Sequence, residues 1–125
     1  MNIYFTKEHE WARVRDDGTA EVGISEHAAH ELGDITFVEL PRTGKLVRQF
    51  ELLGSIESVK AASDIFAPLS GTVIKVNNSL EKAPEVVNQS AEEAGWMALV
   101  EIADPAELKN LMTREQYDAY LKDLE

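Results

Sequence analysis

The stretch Leu53-Gly54-Ser55-Ile56-Glu57-Ser58-Val59-Lys60-Ala61-Ala62-Ser63-Asp64-Ile65-Phe66-Ala67-Pro68-Leu69-Ser70-Gly71 decides the fold. It reads as two short apolar strands meeting at a turn of small residues. Gly54 to Val59 forms the first arm, Ile65 to Pro68 begins the second, and Gly71 to Val76 carries it on. Lys60 stands at the crest beside Ala61, Ala62 and Ser63, so nothing large shields its amine. A lysine at a hairpin tip is ordinarily a solvated surface charge. Here the immediate flanks are uncharged although the chain is acidic, and carboxylates stand a little further out at Glu57 and Asp64. The small neighbours leave room for an enzyme to reach the nitrogen.

On the N-terminal side, Trp11 to Arg15 alternates, Asp16-Asp17-Gly18 signals a turn, and Thr19 to Ile24 reads as the return strand. Ser25 suits the N-cap of a short helix running through about Leu32 and closed by Gly33. Its histidines, His27 and His30, share one face, lack a third ligand nearby and read as surface residues; His9 stands alone between Glu8 and Glu10. Ile35 to Leu40 is nearly continuous in apolar character and is expected to be well buried. Pro41-Arg42-Thr43-Gly44 turns the chain, and Leu46 to Phe50 leads into the hairpin.

On the C-terminal side, Asn77-Asn78-Ser79 breaks the strand. Glu81 to Ser90, polar and containing Pro84, reads as a loop with at most one helical turn, before a final strand from Met97 to Ala103. The period then changes. Asp104-Pro105-Ala106-Glu107 and Thr113-Arg114-Glu115-Gln116 both read as capping boxes, the first with proline at the first helical position. Leu108, Leu111 and Met112 share one helical face, and Tyr117, Tyr120, Leu121 and Leu124 another; both are expected to pack on the strands. The segments around the hairpin, about 35–53 and 65–80, are comparable in length, but their letters establish no internal repeat.

The 125 residues suffice for one domain, with an expected core over about 10–103 and a helical segment over about 104–124. Twelve basic against 23 acidic residues give a formal net charge of −11, which disfavours nucleic acid or an anionic membrane as partner. Without cysteine there is no disulfide framework, thiolate metal site or thiol nucleophile, and no metal is expected. There is no apolar run long enough to span a bilayer, and no signal or transit pattern. A cytoplasmic location in a bacterium is therefore expected in preference to the mitochondrial matrix.

Glycine-rich phosphate loops and the Gly-x-Ser-x-Gly elbow are absent, and no carboxylates pair by spacing in a way that implies acid–base work. Catalysis is not expected. A Schiff-base role for Lys60 would need a buried, desolvated amine, which a crest position opposes. An unmodified interaction domain stays open on this reading.

The tip residues Glu57 to Asp64, followed by Ala67-Pro68-Leu69-Ser70-Gly71, resemble the lipoyl-attachment motif of the glycine cleavage system H proteins. Tyr4 to Trp11, Val22-Gly23-Ile24-Ser25, Leu32-Gly33-Asp34-Ile35, Phe37-Val38-Glu39-Leu40-Pro41 and Gly95-Trp96-Met97 are similar to that family in order and spacing, over nearly the whole chain. The resemblance implies a mainly β fold with short helices, a flattened barrel-sandwich hybrid of the lipoyl/biotinyl type with C-terminal helices packed on the sheets. It implies lipoate bound covalently to Lys60, with Glu57 and Gly71 read by the lipoate-attaching enzyme. Turn geometry is the competing explanation for Gly71. It implies a non-catalytic, monomeric carrier taking the aminomethyl group of glycine from the decarboxylase P protein to the aminomethyltransferase T protein, and electrons to the dihydrolipoyl dehydrogenase L protein. Glu10 and Asp64 match positions that contact the loaded arm. A lipoyl relay that donates the group to other acceptor domains is the alternative role.

Overall fold

The computed structural model describes residues 2–124. Ten strands form two antiparallel sheets. The larger has the order β10-β1-β2-β3-β9-β8-β5 and the smaller β4-β6-β7. In chain order the strands are β1 (Ile3–Phe5), β2 (Glu10–Val14), β3 (Thr19–Ile24), β4 (Ile35–Glu39), β5 (Leu46–Val47), β6 (Leu52–Ser58), β7 (Ala62–Phe66), β8 (Gly71–Val76), β9 (Ala98–Ile102) and β10 (Met112–Thr113). The helices are α1 (Glu26–Leu32), α2 (Ser79–Lys82), α3 (Val86–Gln89) and α4 (Arg114–Asp123), with a 3-10 helix over Pro105–Asn110.

Local chemistry sets most boundaries. Asp17 accepts from the Thr19 amide at 3.1 Å and Gly18 takes φ +84°, which closes the β2–β3 hairpin where the sequence places it. The Ser25 hydroxyl accepts from the Ala28 amide and caps α1, and Gly33, at φ +79°, ends it. The Thr113–Gln116 capping box forms completely at the start of α4.

The core lies between the two sheets and continues under the smaller one. Leu53, Leu69, Val73 and Val100 fill one part, and Ile35, Val38, Ile56, Ile65, Leu80 and Met97 another. A third cluster packs Phe5 and Trp11 against Tyr117 of α4; the Phe5 and Tyr117 rings stack with centroids 4.3 Å apart.

Several expectations are corrected. Gly71 to Val76 does not continue the second hairpin arm: β7 ends at Phe66, and β8 pairs with β9 and β5 in the other sheet. The crossover is fixed by Glu107, whose carboxylate accepts from the Ser70 amide at 2.7 Å and the Ser70 hydroxyl at 2.6 Å. Thus occupied, Glu107 completes no capping box; only the Asp104 side chain caps there, and a 3-10 helix results. Leu111 ends that helix and Met112 turns into β10, paired with β1, so the expected helical face over 108–112 does not exist. That pairing also carries the sheet beyond 10–103 at both ends. Ile35–Glu39 is not buried throughout: Ile35 and Val38 face the core, and Thr36, Phe37 and Glu39 are exposed. Glu81–Ser90 holds parts of two single-turn helices rather than one.

Candidate functional site: a braced lysine crest and an aromatic cleft

The β6–β7 hairpin places Lys60 on its exposed tip. Ser58 organises the turn. Its amide donates to the Ala61 carbonyl at 2.7 Å, and its hydroxyl oxygen accepts from the Lys60 and Ala61 amides at 3.3 and 3.1 Å. The tip leans on the corner between α1 and β4. The Val59 amide donates to the Asp34 carbonyl at 3.0 Å, and a methyl group built on Gly33 would lie 3.4 Å from Lys60 Cε. Asn88 of α3 secures that corner from behind: its Nδ2 donates to the Gly33 carbonyl at 2.8 Å, and its Oδ1 accepts from the Ile35 amide at 2.9 Å. The backbone under the lysine is therefore held from within and from behind, while Ala61 and Ala62 leave the amine open.

On one side of β7 a hollow of about 330 Å³ is lined by Ser63, Ile65, Ile24, Leu32, His9, His27 and Glu8. Glu8 also borders a second, larger cleft of about 630 Å³, walled by Phe5, Phe50, Phe66 and Met112 with Glu10 among its lining. Glu10 is not the exposed strand-start carboxylate that its letter implies: it is only 2 % exposed. One carboxylate oxygen accepts from the Thr6 hydroxyl at 2.5 Å, the other from the Phe66 amide at 3.2 Å. Burial pushes its pKa above the ordinary carboxylate value, against the two hydrogen bonds.

His9, isolated in sequence, is the centre of a network. It adopts φ +72°, and its Nδ1 lies 2.8 Å from the Tyr117 hydroxyl. That hydroxyl in turn lies 2.7 Å from Ser25 Oγ, the cap of α1. The His9 and His27 rings are 4.8 Å apart, and burial, with His27 beside it, lowers the His9 pKa. Burial pushes the Tyr117 hydroxyl up to about 12. His30 remains exposed. Among the described residues no three His, Cys, Asp or Glu side chains converge in a metal-holding arrangement.

The other expected site residues disperse. Glu57 is exposed on β6, between Phe37 and Ala62 of the neighbouring strands. Asp64 pairs with Ser55 and borders a groove with Glu39, apart from the cleft of Glu10; the structure does not bring those two carboxylates into one pocket. Gly71 is buried, and its φ is not left-handed. A Cβ there would meet the Glu101 carbonyl at 2.1 Å, so close strand approach, not turn geometry, is what requires glycine. Sequence reasoning missed Asn88, Phe50 and Phe66. Only the Phe50 neighbourhood carried a signal, an aromatic among polar residues before the hairpin.

Fold and site together define a small barrel-sandwich domain that presents one lysine on a braced hairpin crest. The family pattern described as "Glycine cleavage H-protein" matches residues 3–124. The chain is 53 % identical to the glycine cleavage system H protein of Caulobacter vibrioides over 96 % of this chain and 98 % of that one. It is 53 % identical to that of Bacillus velezensis, over 94 % and 91 %. A crystal structure of a glycine cleavage system H protein from Mycobacterium marinum superposes with a TM-score of 0.89 at 32 % identity, covering 97 % of each chain. The chain belongs to the glycine cleavage H-protein family.

Proposed function

We propose that Lys60 carries a lipoyl group in amide linkage, and that the loaded chain shuttles the aminomethyl group of glycine from the P protein to the T protein and electrons to the L protein. The observation that carries this reading is the exposed amine at the crest of a hairpin whose backbone is fixed on both sides. The bound group would supply a disulfide able to accept the aminomethyl carbon. This chain's residues supply the rest, as expected of a carrier whose partners do the chemistry.

The surroundings suit that group. Ala61 and Ala62 do not crowd an amide at Nζ. The hollow beside Ser63 and Ile65 and the aromatic cleft, both bordered by Glu8, offer apolar walls for an alkyl arm. Ala62 to Phe66 spans about 13 Å of extended strand, a reach similar to that of a lipoyl-lysine. Phe50 and Phe66 give the cleft apolar walls, and the Glu10 carboxylate in its lining suits a cationic aminomethyl group through a charge-assisted hydrogen bond. Asp64 stands outside this cleft, so the arm-contact proposal rests on Glu10. A tethered cargo stays at high effective concentration at each partner.

The test is the intact mass of the protein made in lipoate-competent cells, followed by glycine decarboxylation with purified P protein. A lipoyl increment that Lys60→Arg abolishes, with P-dependent loading of the modified form alone, is the expected result. An increment on another lysine, or an unshifted mass under those conditions, overturns the reading.

A further inference from the structure

Phe50 is an aromatic residue in a backbone conformation that favours glycine. Its φ is +67°, in the left-handed region, where the Cβ of a bulky residue crowds the neighbouring carbonyl. The turn demands that conformation. The Glu51 amide donates to the Arg48 carbonyl at 3.0 Å, which sets Phe50 at the third position of a four-residue turn, the glycine position of type II. The turn is also pinned to the crossover that follows β7. The Gln49 amide donates to Ser70 Oγ at 2.8 Å, Gln49 Nε2 to the Pro68 carbonyl at 2.9 Å, and the Phe50 amide to the Ala67 carbonyl at 2.6 Å. Glycine at position 50 would satisfy all of these constraints without strain. Nor does the ring offset the strain inside the fold: it is 51 % exposed and belongs to none of the three core clusters. It forms instead a wall of the aromatic cleft, with Phe5, Phe66 and Met112.

We infer that Phe50 is the residue that retains the cargo: its ring covers the sulfur-bearing end of the loaded arm and sets how long the one-carbon unit survives in water. The inference rests on the lipoyl-carrier reading and adds to it a residue that decides retention. Strain that the fold does not use persists where function uses it. The lining suits both ends of the loaded group. A polarisable thioether sulfur packs well against aromatic rings and methionine. The cationic nitrogen has Glu10, whose two oxygens each accept one hydrogen bond and keep capacity for another donor. Lys7, Glu8 and Asn110 complete the lining; all three are exposed, so water screens the opposite charges of Lys7 and Glu8, whereas Glu10 is buried. Loss of the cargo needs water at the methylene carbon. There the water oxygen bonds to carbon and the carbon–sulfur bond breaks with its electron pair going to sulfur. Sulfur takes a proton, and the carbon and nitrogen leave as formaldehyde and ammonium. A ring over the thioether keeps water from that carbon.

The experiment compares Phe50→Gly, Phe50→Asn and Phe50→Tyr with the unaltered chain. Urea melts of the unmodified proteins come first. Gly and Asn are at ease in the left-handed region, so their midpoints are expected to be unchanged or higher. The lipoylated proteins are then loaded with P protein and glycine, freed of both, and followed by intact mass as the aminomethyl group is lost. The half-life is expected to shorten by about threefold or more in the Gly and Asn variants and to be kept in the Tyr variant, which retains the ring. Leu46→Ser, at a 75 % exposed apolar residue outside the cleft, is expected to leave it unchanged. Because decay is read after loading, a change in the encounter with P protein does not enter. Gly and Asn variants that hold the cargo as long as the unaltered chain overturn the inference and leave the carrier reading intact. So does a lowered midpoint in both, which would assign the ring to the fold, and so does a Tyr variant that loses the cargo as fast as Gly. An unaltered chain that takes no lipoyl group on Lys60 overturns the carrier reading itself.

Discussion

At the scale of single residues, two ionisable groups, the buried Glu10 and the half-buried His9, act with opposite sign. Glu10 has a pKa raised by burial above 4.5, so the fold binds its proton better than the unfolded chain does. Its stabilising contribution is complete below the ordinary carboxylate range and falls as pH rises through the raised value. Glu10→Gln should flatten the stability profile in that window, seen as the difference between urea melts of the two proteins. His9 has a pKa lowered from 6.5, so its contribution is present above about 6.5 and is lost as pH falls toward the lowered value. His9→Asn, which tolerates the positive φ, should remove that acid-side slope. Gly71→Ala is expected to cost about 3 kcal/mol or more in a denaturant melt, because the added methyl would overlap the Glu101 carbonyl where the β8–β9 ladder begins. The exposed lysine was legible from its small neighbours. The burial of Glu10 was not, because a carboxylate's letter carries no sign that Thr6 and Phe66 will satisfy it.

At the scale of elements, turns and caps were the legible features. Asp17-Gly18, Ser25, Gly33 and Thr113–Gln116 act through neighbours within a few positions, and each forms as the local chemistry requires. Misreadings arose where a distant group intervened. Glu107 was recruited by Ser70, 37 positions away, and a 3-10 helix replaced the expected start of an α-helix. Met112 found a strand partner in Phe5. Phe37 made β4 look buried although it points outward. The brace behind the hairpin is of the same long-range kind, and it can be tested alone. Asn88→Ala removes both hydrogen bonds to the 33–35 corner and is expected to cost about 1–3 kcal/mol. It should also speed hydrogen exchange of the Val59 amide, which donates to Asp34 in that corner, while amides of the β2–β3 hairpin keep their protection once corrected for global stability.

At the scale of the whole molecule, the strongly acidic composition and the amine proposed for modification are coupled. Amide formation at Lys60 would remove one positive charge, taking the formal net charge from −11 to −12. Modified and unmodified forms should separate on anion exchange, the modified form eluting later, and Lys60→Gln should elute with it if charge alone decides. The His9–Tyr117–Ser25 network ties the C-terminal helix to α1, and α1 to the corner that supports the crest. Finally, the larger sheet ends in strands of only two residues, β5 on one side and β10 on the other. Such short margins present too few free backbone groups for this sheet to template a neighbouring chain along its edges.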